Sequence, residues 1–234
     1  MGFILLEGGA EFGGQMELPD RQAISLAGGP DVRISIIPAA AAPDDNHQRA
    51  GNNGVNWFKA LGATCVTALP LIDRSSADDP VLAEILRNTK LIYLLGGFPE
   101  YLGTTLLGTR CWRAILQAYH AGAVIAGSSA GAMVLAEKYY DPAESRVLTG
   151  LGLIGGICVV PHHDTFGKDW LPLLSPLHPD VILVGIDEET GIIGDASAMR
   201  WQVFGKGALT LYRGNLVEKC AAGKAVAIDG LVLE

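Results

Sequence analysis

Short apolar runs recur along the first half of this chain, and each ends in turn residues before a stretch with helical spacing. Phe3 to Leu6 stops at Gly8-Gly9, Val32 to Ile37 at Pro38, Thr64 to Leu69 at Pro70, Leu91 to Leu95 at Gly96-Gly97, and Ala123 to Ala126 at Gly127. Runs this short, rich in β-branched residues and apolar at successive positions, predict strands of a parallel sheet covered by helices on both faces. Three of the intervening stretches read as helices. Gly54 to Leu61 places Val55, Phe58 and Leu61 on one face and stops at Gly62, a natural C-terminal glycine. Asp79-Pro80 opens a second, with Val81, Ile85 and Leu86 on one face, and Arg110 to His120 forms a third, closed by Gly122. The polar stretch Asp44 to Asn53 reads as a surface loop.

The last third changes rhythm. Ile192-Ile193, Arg200 to Phe204, Ala208 to Tyr212 and Leu216-Val217 are short and separated by glycine turns such as Gly205-Lys206-Gly207. They predict antiparallel strands and hairpins closing one end of the domain. With 234 residues, 49% of them hydrophobic and 18% charged, the chain suits a single α/β domain over 1–234 with a large core.

Charge and cysteine usage narrow the partners. A net charge of -8 disfavours non-specific binding to nucleic acid or anionic membranes. No apolar stretch approaches the ~18 residues needed to span a bilayer, and Met1 to Glu7 reads as a first strand rather than a leader. Cys65, Cys111, Cys158 and Cys220 form no C-x-x-C pair, which points to free thiols and a cytoplasmic setting rather than a zinc site or a disulfide framework.

The most informative segment is Ala123 to Leu135, which reads strand, tight turn, helix around Gly127-Ser128-Ser129-Ala130-Gly131. A serine hydroxyl needs exposure, a base and oxyanion donors before it becomes a nucleophile. A sharp turn with small neighbours supplies exposure and lets a substrate approach Ser129, and the helix N-terminus behind it favours negative charge. A plain glycine-rich turn with a serine cap is the ordinary alternative.

A hydrolase would need partners for this serine. His162 and His163 end the apolar run Ile157 to Pro161. Neighbours on a strand point to opposite faces, so one of the two at most faces the serine, and the same divergence argues against a metal site at His162-His163-Asp164. Asp187-Glu188-Glu189 follows the buried run Val181 to Ile186, and spacing alone does not choose among the three acids.

With these sites in place, the chain resembles the cyanophycinase and aspartyl dipeptidase family of serine peptidases. Gly8-Gly9-Ala10-Glu11, Ile37-Pro38-Ala39-Ala40, Leu95-Gly96-Gly97, Gly127 to Ala132, Val160-Pro161-His162-His163 and Gly185 to Thr190 each resemble a family segment. The resemblance implies a flavodoxin-like, three-layer domain related to class I glutamine amidotransferases. It implies a triad of Ser129 as nucleophile, His163 as base and Glu188 as acid, with Gly97 and Ala130 lending N–H groups to the oxyanion and no cofactor or metal. The implied substrate is a short peptide or isopeptide with an aspartyl residue on the acyl side, and Arg110, Arg146, Lys168 and Arg200 are the cations available to meet it. A homodimer is the candidate assembly. The order serine, histidine, acid departs from that of α/β-hydrolase esterases, which would need Asp141 or Asp164 followed by His178. Phe98-Pro99 stands where the family carries a polar pair, and Lys168 alone stands where cyanophycinases carry an arginine-rich stretch. Those departures motivate two rivals: a non-catalytic binding protein on the same scaffold, and a broad esterase.

Overall fold

The apolar runs pair as the pattern requires. In the computed structural model, which describes residues 1–177, 180–195 and 200–228, they are β1 (Ile4–Glu7), β2 (Arg33–Ile37), β3 (Cys65–Ala68), β4 (Leu91–Leu94) and β5 (Val124–Ser128). All run parallel, in the spatial order β1-β5-β4-β2-β3. The later strands are β6 (Ala136–Asp141), β7 (Arg146–Thr149), β8 (Ile154–Val160), β9 (Ile182–Ile186), β10 (Thr190–Asp195), β11 (Arg200–Gly205), β12 (Ala208–Arg213), β13 (Leu216–Ala221) and β14 (Ala225–Ala227). The helices that matter below are α1 (Glu17–Ala27), α2 (His47–Ala60), α3 (Arg74–Ala77), α4 (Pro80–Arg87), α5 (Pro99–Leu106), α6 (Arg110–His120) and α7 (Ala130–Leu135).

Side-chain alternation divides the core. Leu5, Ile34, Ile36, Tyr93, Val124 and Ala126 pack with residues of α1 and α2 on one face of the parallel sheet. Ile4, Leu6, Ile92, Leu94 and Ile125 pack with α4, α5, α6 and α7 on the other. This is the three-layer, flavodoxin-like arrangement the sequence pattern predicts. Burial on both faces explains why the strands read as nearly continuous apolar runs.

The carboxyl half builds more than a hairpin cap. β10, β11 and β14 extend the first sheet antiparallel from β1. A second sheet, in the order β13-β12-β9-β8-β6-β7, contains the runs that end in the histidine pair and the acid triplet. β8 and β9 are parallel neighbours within it. The turn Asp187-Glu188-Glu189 then carries the chain from β9 in the second sheet to β10 in the first. Chemistry-bearing ends of both sheets are thereby brought to the mouth of β1 and β5.

One local expectation changes. The polar stretch from Asp44 is not a loop throughout, because α2 already begins at His47. Its early turns carry asparagines and glycines, which weaken the helical pattern. The glycines are needed for packing. A Cβ at Gly51 would lie 2.9 Å from the Ala68 side chain, and one at Gly54 would lie 3.0 Å from the Phe12 ring. Tertiary contact therefore overrides propensity here. Among the described residues, no helix is long and apolar enough to cross a membrane.

Candidate active site

β5 ends at Ser128, and the chain turns sharply into α7 at Ser129, whose φ of 49° is left-handed. A non-glycine residue there carries a strain of ~1–3 kcal/mol, a cost that clusters at functional turns. The turn is held from below, where the Ser129 N–H donates to the Glu7 carbonyl at 3.0 Å. Gly127 and Gly131 admit no side chain, because a Cβ on either would meet backbone at 2.2 to 2.5 Å. Ser129 is half-buried, while Ser128 beside it is fully buried and donates its hydroxyl to Glu11 Oε2 at 3.0 Å.

The partner of Ser129 is His162. Its Nε2 lies 2.9 Å from Ser129 Oγ, and its Nδ1 lies 2.8 Å from Glu188 Oε1. An ionised carboxylate only accepts, so Nδ1 carries the proton and Nε2 is left free to receive one from the serine. The Thr165 hydroxyl also donates to Glu188 Oε1 at 3.3 Å, and Asp164 accepts the Glu188 N–H at 2.8 Å. The ring of His162 stacks on Phe166 with centroids 4.6 Å apart.

His163, the member of the pair expected to act on the serine, points elsewhere. Its Nδ1 meets Asp187 at 3.2 Å and its Nε2 meets the Tyr212 hydroxyl at 2.8 Å. The expectation of divergent neighbours holds, but the choice between them reverses, for a backbone reason. His163 stays in register, donating its N–H to the Ile186 carbonyl, and so its ring follows the face that covers Gly185. His162 takes a φ of +52° and swings out of the strand toward β1 and β5. A left-handed residue at a strand end breaks the alternation that strand parity assumes.

The acids divide as cleanly. Glu188 reaches His162 rather than His163, the histidine that the resemblance paired with it. Asp187 is buried and binds the Ala208 N–H at 2.9 Å in addition to His163, which ties β9 to β12. Glu189 accepts the Gln15 N–H at 3.1 Å and pairs with Lys206; these contacts, the backbone one first, hold its carboxyl below the usual range.

The remaining expected positions border the serine. Ala130 opens α7, so its N–H has no partner within the helix. Gly97 sits at φ +138° against the Ala40 backbone, where a Cβ would meet Ala40 O at 2.2 Å. A Cβ on the preceding Gly96 would lie 3.2 Å from Ser129 Cβ, so this glycine loop lines the nucleophile. Phe98 is exposed and Pro99 begins α5.

The β1–α1 loop is where sequence reading was thinnest. Gly8 donates its N–H to Thr190 and accepts from His162, and Gly9 accepts from Glu189, so the loop ties both sheet ends together. Gly9 has φ +121°, and a Cβ there would lie 2.2 Å from His162 Cε1. Replacing Gly9 by alanine is therefore expected to displace the imidazole and lower kcat by ~10²-fold, since misplacement of about 1 Å costs that much. Steady-state kinetics on a protein of unchanged far-UV spectrum would check it; full activity would show that the ring does not depend on this contact.

Beside this loop, Ala10, Glu11, Phe12, Asn46, Arg49, Asn53, Asn56 and Trp57 line a cavity of about 660 Å³. Arg49 is the cation it contains, and none of the four expected cations lines it. Arg146 pairs with Glu100 at 2.6 Å, Arg110 lies beside Arg87 and Arg113, Arg200 flanks Phe3 and Gln22, and Lys168 lies exposed in the 167–170 turn. Of the residues the esterase order would use, Asp141 accepts the Glu144 N–H at 3.1 Å, Asp164 accepts the Glu188 N–H, and His178 lies outside the described residues.

The model of peptidase family S51 matches residues 4–199. The chain belongs to that family. It is 31% identical to the cyanophycinase of Geminocystis herdmanii over 219 residues, covering 88% of this chain and 79% of that one. It is 30% identical to the cyanophycinase of Synechococcus elongatus, covering 90% and 67% respectively. Among solved structures, a peptidase from an acI-B1 Actinobacterium superposes with a TM-score of 0.86 at 28% identity, covering 97% of both chains. A putative peptidase E from Listeria monocytogenes, at 17% identity and a TM-score of 0.63 over 95% of this chain and 100% of that one, shares the fold. The S51 protein described here is thus a serine-type peptidase.

Proposed function

We propose that it hydrolyses short peptides or isopeptides through an acyl-enzyme formed on Ser129, with His162 as base, Glu188 as orienting acid and the N–H groups of Gly97 and Ala130 as oxyanion donors. One observation carries this reading: the continuous Ser129–His162–Glu188 hydrogen-bonded line at 2.9 and 2.8 Å. His162 Nε2 takes the hydroxyl proton as Oγ attacks the carbonyl carbon, and Glu188 stabilises the imidazolium that results. The same proton passes to the leaving amine, and water attacks the ester with His162 as base again. Each lost oxyanion donor in a site of this kind costs ~10²–10³ in turnover.

For an aspartyl residue on the acyl side, Arg49 in the cavity beside Glu11 is the cation that would supply the counter-charge. The family resemblance implies an aspartyl linkage, and the departure at Phe98-Pro99 favours small dipeptides. A fluorophosphonate probe tests the catalytic reading. Labelling is expected on Ser129 of the wild type and is expected to vanish in Ser129→Ala; a folded wild type that takes no label is instead the binding protein named above. A panel of α- and β-aspartyl dipeptides set against p-nitrophenyl esters separates peptidase from esterase.

A further inference from the structure

Phe166 is 51% exposed, yet its ring is held in one place. It stacks on the imidazole of His162, with centroids 4.6 Å apart and planes inclined by 23°. Trp170 meets it edge-on at 5.7 Å and 62°. Trp170 in turn packs on Tyr140 at 5.3 Å, against the core around Cys158 and Val160. The backbone is fixed as well. The His162 carbonyl accepts from the Thr165 N–H at 3.0 Å, the Thr165 hydroxyl at 3.1 Å and the Gly167 N–H at 2.8 Å. This turn closes so tightly that a Cβ at Gly167 would lie 1.9 Å from the Pro161 carbonyl oxygen. The chain thus winds back over its own histidine and lays an aromatic face on the ring that meets Ser129. Burial alone does not account for the placement, because half of the side chain still faces water.

The chemistry of the imidazole supplies a reason. The ring is neutral while it waits beside the serine and charged once it has taken the hydroxyl proton. The face of a benzene ring is the negative pole of its quadrupole and attracts a cation within about 6 Å of its centroid. Phe166 lies inside that reach. Its attraction is weak for neutral imidazole and stronger for imidazolium, so it lowers the barrier without tightening the substrate complex. Glu188 meets the same cation at the Nδ1 edge and Phe166 meets it through the face, so the two do not compete.

We propose that Phe166 is a positioning residue that stabilises the His162 imidazolium through its π-face, so that the rate of attack by Ser129 depends on the electron density of this ring. The inference rests on His162 acting as base for Ser129. An exposed contact of this kind corresponds to ~2–5-fold in rate.

The test separates the electrons of the ring from its bulk. Phe166→Leu covers the imidazole with apolar bulk and no quadrupole, Phe166→Tyr keeps the π-face, and a series of mono-, di-, tri- and pentafluorophenylalanine at position 166 drains that face at nearly constant shape. Two rates are read on each folded variant: kcat and KM for an aspartyl dipeptide, and the labelling rate of a fluorophosphonate, which needs the same base. Phe166→Leu is expected to lose ~2–5-fold in kcat and in labelling with KM unchanged, and Phe166→Tyr to restore both. The logarithm of each rate is expected to fall stepwise with the number of fluorines. Fluorinated rings that all match the wild type overturn the proposal, whether Phe166→Leu is slow or not, since bulk alone would then suffice. A rise in KM at constant kcat also overturns it, because the ring would then be touching substrate. A folded wild type that takes no label sinks the nucleophile assignment and this inference with it, whereas labelling that ignores fluorination sinks only the role of Phe166.

Discussion

His162→Ala is expected to lower kcat by ~10⁴–10⁶-fold, the loss seen when the base is removed from a serine triad, while His163→Ala retains activity within about tenfold. The contrast follows from the two environments. His162 bridges Ser129 and Glu188, so its loss removes the proton acceptor and leaves only oxyanion stabilisation and binding. His163 bridges Asp187 and Tyr212, a contact between β9 and β12. Its loss leaves a buried carboxylate short of one partner, which costs stability on the order of 1–3 kcal/mol rather than chemistry. Kinetics on both variants, with urea melts beside them, separate the effects. An inactive but stable His163→Ala together with an active His162→Ala would return the base to the position the family resemblance implied.

That contrast also marks where the sequence was legible. The five parallel strands were readable because each stops at glycine or proline and all but the half-exposed edge strand β3 are buried on both faces, and the Ser129 turn because only small residues fit around it. The histidine choice was not readable. It hinges on a left-handed φ at His162 and on the hydrogen bonds that seat its ring over Gly9. These depend on β1 lying beside the end of β8, a contact between residues far apart in the chain. The second sheet was hidden for a similar reason. β8 and β9 look like strands of the first sheet in composition, and only the turn Asp187-Glu188-Glu189 passing between sheets places the acid. Arg49 was obscured by the polar start of α2. Glu11 was visible as part of a glycine motif, but its proximity to Ser129 depends on Gly96, some 85 residues away in sequence.

Asp20→Asn is expected to stabilise the protein at and above pH 7 and to flatten the fall of its stability with pH. Behind the nucleophile, Glu7 and Asp20 are both fully buried. Tyr93 donates its hydroxyl to Glu7 Oε2, and Trp57 Nε1 donates to Asp20 Oδ2 at 2.7 Å. The other oxygen of each carboxyl has no separate partner among the described residues, which fits two carboxyls sharing a proton. Burial, with the neighbouring carboxyl adding to it, pushes Glu7 well above the ordinary range, and burial pushes Asp20 up to about 7. Both groups hold protons in the fold that the unfolded chain has released. The sign follows: for Asp20 the stabilising contribution is complete below about pH 4, where both states are protonated, and is lost as the pH rises through about 7. At ~1.4 kcal/mol per unit, the Asp20 term is on the order of 4 kcal/mol. Asparagine keeps an oxygen for Trp57, can donate its amide to Glu7, and removes the ionisation. Unfolding free energies from urea titrations between pH 4.5 and 8.5 give the wild-type minus variant difference, in which other carboxylates cancel. A difference that is flat across that range would mean the pair does not carry the extra proton. The consequence reaches the site, because the backbone carbonyl of Glu7 holds the Ser129 N–H. Charging the pair therefore strains the residue on which the nucleophile turn rests.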